Sequence, residues 1–340
     1  MVRKIVLITG GLGCLGGNLG KYLMNAGYQV VIGSSRKNAK LPNELKNCSL
    51  VYTNFDDVNS LSKACDKVDC VLHLATINSK QSQDNPQLAI NVNGIGTCNL
   101  IQSSVKSGVK FFLYFSTAHI YGSPLVGKID ESYNPKPLHP YSITHRLAED
   151  FLLESIDKKK IKGSVFRLSN SVGLPLTKEA NCWMLFVNDA CKQAVDDRQI
   201  IIHSNPNIER DFIPVDSVCK ATEYFLSSYA SSDYPVYNLG SGVSYTLLQM
   251  AEIIAYRCEK IFGFYPKIRF NDVTVLQNAK LEYKVEKLNS AIASRSNDNS
   301  ISNKKVEEIL LKENESLKFK YANTLNKLEK ILIKINTLEK

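Results

Sequence analysis

The 340-residue chain has no apolar run near the ~18–20 residues of a membrane-spanning helix, so no membrane partner is expected. It has no CxxC pair, and its nine cysteines are an odd number, which leaves a metal site without support. A small disulfide-stapled scaffold is excluded by length. Several cysteines sit inside apolar segments, where a free thiol packs as a small core residue, so a reducing cytoplasm is the expected location. Compact basic runs are few, Lys158-Lys159-Lys160 and Lys304-Lys305, so the formal net charge of +9 argues for anionic ligands such as phosphates and against nucleic acid. The opening Val2–Ile8 lacks the long apolar stretch and cleavage site of a signal peptide; glycines follow it, and it reads as a buried first strand. What is present is 44% hydrophobic and 22% charged residues, enough for a sizeable core in one large or two medium domains.

The first part of the chain alternates apolar, β-rich runs with helical periodicity. Strands are expected at 5–8, 29–32, 50–53, 70–74, 110–115 and 164–168, and helices at 18–26, 59–64, 86–106 and 141–155. Strands separated by helices predict βαβ units in a parallel, doubly wound sheet covered on both faces. Beyond Arg167 the pattern loosens into a smaller mixed region, with helices at 183–195, 215–227 and 247–261 and short strands at 200–202 and 236–239. Ser- and Asn-rich residues 289–303 read as a linker. After it, Leu310, Leu317, Thr324, Ile331 and Leu338 interleave with Asn314, Tyr321, Leu328 and Ile335 in an a/d heptad pattern. A helix lying on its own domain and a self-associating coil both fit. The expected organisation is 1–170, 171–290 and a helical tail at 304–340.

Gly10, Gly13 and Gly16 follow the first strand and open the first helix. In that context the first glycine permits a tight turn, the second lets backbone approach a pyrophosphate, and the third lets helix and strand pack closely. The helix N-terminus then offers free N–H groups to the phosphates. An NAD site usually carries an acid at the end of the second strand, for the ribose hydroxyl. Here Ser34, Ser35 and Arg36 stand there, and hydroxyls beside a guanidinium predict NADP, with NAD as the alternative.

Further segments follow in order: Asn91-Val92-Asn93-Gly94, Ser116-Thr117-Ala118-His119-Ile120-Tyr121-Gly122, Tyr141-Ser142-Ile143-Thr144-His145, Arg167–Gly173, Arg210-Asp211-Phe212-Ile213-Pro214-Val215 and Tyr237–Gly240. With the glycine motif, these resemble the extended short-chain dehydrogenase/reductase family, of nucleotide-sugar epimerase/dehydratase type, over about residues 1–290. The resemblance implies a Rossmann-type α/β domain with a smaller substrate domain and a homodimer or higher homo-oligomer; the C-terminal helix expected from the heptad pattern lies outside it. It implies Tyr141 as acid/base and Thr117 as its hydroxyl partner on a nucleotide-diphosphate sugar, with Asn170 and Arg210 on the substrate. Its cofactor set maps onto Gly10, Gly13, Cys14, Leu15, Gly16, Ser34, Ser35, Arg36, Asn54, Phe55, Leu74, Ala75, Asn91, Tyr141 and His145. One departure matters: where the family places a Lys four residues after the Tyr, this chain has His145. Imidazole is shorter than a Lys side chain and mostly neutral at pH 7. His119 and His139 lie nearby in sequence and offer other acid/base groups. Family dehydratases carry Asp-Glu directly after the Thr; Ala118-His119 here disfavours dehydration. The resulting expectation is an NAD(P)-dependent nucleotide-sugar epimerase or oxidoreductase, for which the resemblance implies a setting in polysaccharide biosynthesis, the alternative being a non-catalytic dinucleotide-binding scaffold that associates through its tail.

Overall fold

The computed structural model describes residues 3–177, 180, 182–229, 234–270 and 280–293; the heptad tail and most of the linker lie outside these. Along the chain run β1 (Ile5–Thr9), α1 (Cys14–Asn25), β2 (Gln29–Ser34), β3 (Ser49–Tyr52), α2 (Val58–Ala64), β4 (Cys70–His73), α3 (Ser79–Asp84), α4 (Pro86–Ala89), α5 (Gly96–Lys106), β5 (Phe111–Thr117), β6 (Gly127–Ile129) and α6 (Pro140–Asp157). Then follow β7 (Lys162–Leu168), β8 (Asn170–Val172), α7 (Phe186–Asp196), β9 (Gln199–Ile202), β10 (Glu209–Pro214), α8 (Val215–Ser228), β11 (Val236–Leu239), β12 (Ser244–Thr246), α9 (Leu247–Phe262), β13 (Lys267–Phe270), β14 (Leu281–Tyr283) and α10 (Glu286–Ala293).

Seven strands form one sheet in the order β11-β7-β5-β4-β1-β2-β3, every pair parallel. Its central strands are mostly apolar because both faces are buried. Val6, Ile8, Leu72, Phe111 and Leu113 point to one side, into a core shared with Leu19, Leu23 and Phe225 of α1 and α8. Leu7, Val71, Phe112 and Val165 point to the other, against Leu61, Leu100 and Leu152 of α2, α5 and α6. Each such side chain contributes about 1.5–3 kcal/mol by leaving water. A second core binds α7 to α9 through Val187, Cys191, Met250, Ile254 and Cys258, beside the small β12-β10-β8 sheet. No helix among the described residues is long and apolar enough to cross a membrane.

Two expected helices differ in ways that matter for the site. The first begins at Cys14 rather than Asn18, so its N-terminus lies directly on the glycine loop. The long helix expected over 86–106 is three pieces: α4, a π-helical turn at Ile90–Ile95, and α5. The wide turn turns Asn93 inward, where it is fully buried. Close packing fixes the glycines beside it: a Cβ on Gly94 would stand 2.7 Å from Leu147 Cδ2, and one on Gly96 would stand 2.8 Å from Phe55 Cβ.

Candidate active site

Gly10 has φ +66°, and a Cβ there would lie 2.9 Å from Ala75 N. A Cβ on Gly16 would lie 2.4 Å from the Gly10 carbonyl oxygen. Both positions therefore need glycine for α1 to start this close to β1 and β4. The helix carries no side-chain N-cap and no acid in its first turn, so its first N–H groups remain for an anion. Above this turn is a cleft of about 280 Å³, lined by Gly10, Gly13, Ser34, Ser35, Arg36, Phe55, Leu74 and Ala75 of the expected set, and also by Leu12, Gly33, Thr53, Thr76 and Ala180. Cys14, Leu15, Gly16, Asn54 and Asn91 are not among its walls. Asn54 Oδ1 accepts the Asp56 N–H in its own turn, and Asn91 Oδ1 accepts from Gln87 along its helix.

Thr117 closes β5 almost fully buried, and its Oγ1 accepts the His119 N–H at 3.2 Å. Its own hydrogen remains available to donate. Tyr141 opens α6, where His139 is the N-cap: His139 Nδ1 accepts the Tyr141 N–H at 3.1 Å, and Pro140 occupies the first turn. Four residues on, the His145 ring meets the Tyr141 ring edge-on, with centroids 4.4 Å apart. His145 is 1% exposed. Tyr114 Oη lies 2.7 Å from its Nδ1, and Thr76 Oγ1 lies 3.3 Å from its Nε2.

The hydrogen bonds around these atoms fix the proton positions. Thr76 Oγ1 donates to Asn93 Oδ1 at 2.8 Å, so it accepts from His145 Nε2–H, and Nδ1 accepts from the Tyr114 hydroxyl. The neighbouring His73 repeats the pattern. Thr97 Oγ1 donates to the Asn93 carbonyl at 2.6 Å and accepts from His73 Nε2–H, while His73 Nδ1 accepts from Thr9. Both imidazoles are neutral. Burial lowers His145 to about 3, helped by the nearby His119, and burial lowers His73 to about 3, helped by His145. Burial pushes the Tyr141 phenol up to about 12, with no cation to oppose it.

From the second lobe, β8 and β10 bring Asn170 and Arg210 forward. Asn170 Nδ2 donates to the Asp211 carbonyl at 2.9 Å. Arg210 is half-buried, has no ion-pair partner among the described residues, and is lowered from its ordinary value by burial. Burial, and then the Arg210 charge, lower His119 to about 4, so it too is neutral. Asp211 serves structure: its carboxylate accepts from Ser169, from both the N–H and hydroxyl of Ser241, and from Gly242 N–H, tying β7, β10 and the Gly240-Ser241-Gly242 turn together. Among the described residues no three His, Cys, Asp or Glu side chains gather as a metal site would require.

A family model described as "NAD dependent epimerase/dehydratase family" matches residues 6–240, more than half of the chain. The chain belongs to that family. A putative UDP-glucose 4-epimerase of Methanocaldococcus jannaschii is 25% identical over 257 residues, covering 74% of this chain and 82% of that protein. The crystal structure of a Thermotoga maritima UDP-glucose 4-epimerase with UDP-glucose superposes with TM-score 0.71 at 24% identity, covering 83% of this chain and 90% of that one. A Thermus thermophilus UDP-glucose 4-epimerase in complex with NAD gives TM-score 0.71 at 20% identity, covering 92% and 100%.

Membership in the epimerase/dehydratase family corrects the cofactor read from the sequence. The family is described as NAD dependent, and the Thermus thermophilus relative was solved with NAD; both point to NAD in place of the NADP read from the sequence. The physical reason lies at the end of β2. Ser34 Oγ accepts the Arg36 N–H at 3.2 Å, so that hydroxyl serves its own turn. Arg36 is exposed, as is Ser35, so neither forms an enclosed phosphate socket. The uncapped N-terminus and the crowded glycine turn fit the pyrophosphate that NAD also carries. Sequence reasoning missed Thr76, Asn93 and Tyr114, the groups that hold His145. Asn93 stood in the quoted motif, but helical spacing alone could not show which Asn of the pair the π turn buries.

Proposed function

We propose that this chain is an NAD-dependent enzyme acting on a nucleotide-diphosphate sugar, and that it interconverts epimers at a carbinol carbon of the hexose. The observation that carries the reading is the run of contacts that links Tyr141 to β5. Tyr141 packs on His145, His145 bonds Tyr114, and Thr117 stands three residues further along that strand. NAD, when bound, takes up hydride from a carbinol carbon and can return it. Gly10, Gly13 and the first N–H groups of α1 would hold its pyrophosphate, with Phe55, Leu74 and Ala75 along the cleft.

The chain's own groups then divide the proton work. Thr117 Oγ1 donates to the reacting sugar oxygen and holds it in place. Tyr141 takes the hydroxyl proton during oxidation and gives it back to the carbonyl oxygen on return. Arg210 faces the diphosphate as a cation without a competing carboxylate. Removing it in Arg210→Ala is expected to raise the KM for the sugar nucleotide about 10–100-fold, the worth of a charge-assisted hydrogen bond, with kcat little changed. Steady-state kinetics checks this split; an unchanged KM contradicts the role.

The UDP-glucose 4-epimerases among the relatives support UDP-glucose and its C4 epimer as the first pair to try. The test supplies the full chain with NAD and a panel of UDP-, GDP-, CDP- and dTDP-hexoses and follows each sugar by NMR. Appearance of one epimer is expected. A panel left untouched by protein that holds NAD contradicts the reading and favours a binding protein.

A further inference from the structure

Two thiols from different parts of the chain meet beside the glycine turn. Cys14 is the first residue of α1, and its Sγ lies 3.8 Å from the Gly173 carbonyl oxygen. Asn188 of α7 donates Nδ2 to that same oxygen at 3.2 Å and to Cys182 Sγ at 3.2 Å. The Asn188 Oδ1 has no hydrogen-bond partner, so the amide presents its N–H side to the sulfur. Cys14 and Cys182 are thus gathered around one carbonyl and one amide. Cys14 is half-buried and Cys182 fully buried. Ala180, two residues before Cys182, lines the dinucleotide cleft.

We propose that Cys14 and Cys182 are a reversible dithiol–disulfide site, oxidised by small disulfides of the glutathione class, whose closure weakens dinucleotide binding. The Cys14 S–H and the Asn188 N–H, both donating to Cys182, hold it below its ordinary value against the effect of burial. Donating that hydrogen bond, together with burial, raises Cys14. The Cys182 thiolate takes the Cys14 proton as the Cys14 sulfur attacks, and the helix N-terminus favours the negative charge that develops there. That more accessible sulfur attacks oxidised glutathione; the glutathione S–S bond breaks and one glutathione thiolate leaves. Cys182 gives that proton to the departed glutathione thiolate, attacks Cys14 in the mixed disulfide, forms the protein S–S bond and expels the second glutathione. Two protein thiols lose two electrons and two protons, and one glutathione disulfide becomes two thiols.

A disulfide bond of about 2.05 Å is much shorter than a thiol hydrogen bond. Closing it draws the first residue of α1 toward Cys182 and misdirects the N–H groups that meet the pyrophosphate. The expected cost is about tenfold in NAD affinity, the scale of one charge-assisted hydrogen bond.

The test titrates the full chain with oxidised glutathione, blocks remaining thiols with iodoacetamide, and maps peptides without reduction. A Cys14–Cys182 linked pair should accumulate before any other and disappear with dithiothreitol. Cys182→Ser should lose the link and keep glutathione on Cys14. NAD titration of the two wild-type forms should show the weaker binding only after oxidation. Alkylation of both cysteines while others pair, or Cys14 carrying only glutathione in the wild type, overturns the site. A linked pair with unchanged NAD affinity overturns its coupling to the cleft. Neither readout needs a sugar substrate, so failure here is separate from failure of the proposed reaction.

Discussion

His145→Lys is expected to raise the rate of carbinol oxidation near pH 8 by about 100-fold. The wild-type imidazole is neutral, because burial holds it at about 3 and Tyr114 and Thr76 occupy its nitrogens. Tyr141 therefore loses its proton only near 12, where burial has placed it. Oxidation needs the phenolate, so well below that value the rate rises about tenfold per pH unit. A cation about 5 Å away, at an effective permittivity of ~20, is worth about 3 kcal/mol, or about two pKa units. That multiplies the phenolate fraction about 100-fold. The pocket can hold the ammonium, since the Tyr114 hydroxyl, Thr76 Oγ1 and Asn93 Oδ1 already converge there. Bound NAD carries its own positive ring charge and lowers Tyr141 in both proteins, leaving the difference. The check is the pH–rate profile with the tyrosinate ultraviolet difference spectrum, each compared with a Tyr141→Phe background. An unshifted profile and an unshifted Tyr141 titration contradict the account.

Glu149→Leu is expected to destabilise the protein by about 3–5 kcal/mol. Glu149 on α6 and Arg167 on β7 form an ion pair with both side chains at 0% exposure. Arg167 Nε reaches Oε1 at 3.0 Å and Nη2 reaches Oε2 at 2.8 Å, a forked arrangement. Burial opposes the guanidinium charge, and the Glu149 carboxylate outweighs burial, leaving Arg167 above its ordinary value. The guanidinium also lies 4.7 Å from the Tyr121 ring centroid, while its Nη1 has no partner. Removing the carboxylate leaves a buried, unpaired cation between the helix that presents Tyr141 and the strand beside β5. Urea unfolding should show a much lower midpoint for Glu149→Leu. The double replacement Glu149→Leu/Arg167→Met should recover most of the loss, because it buries no lone charge. Equal instability of the double variant contradicts the charge argument and points to packing.

The parallel sheet was legible because strands such as Ile5–Thr9 and Phe111–Thr117 carry consecutive apolar residues and not an alternating pattern, as burial on both faces demands. The glycine turn was legible because its spacing answers to backbone crowding that only glycine relieves, as at Gly10 and Gly16. The NADP reading went astray on hydrogen bonds: the Ser34 hydroxyl looked free in sequence and serves the Arg36 N–H in the fold. The position of β11 was hidden, since it joins β7 through pairing far along the chain, Val236 with Val165. His145 was visible as a departure, but its neutrality depends on Thr76 and Tyr114, which only the tertiary fold brings to it. Cys14 and Cys182 meet for the same reason, across lobes that sequence cannot dock.

The account stands most directly on the pH dependence of epimer interconversion by the full wild-type chain with NAD and UDP-glucose. A tyrosine without a neighbouring cation predicts measurable turnover that still climbs through about pH 9, without a plateau near neutrality. A rate already flat from about pH 7 would contradict it, because it requires a charged side chain beside Tyr141, in addition to the NAD ring, or a different base altogether. Absence of turnover at every pH, in protein shown to hold NAD, would contradict the proposed reaction itself.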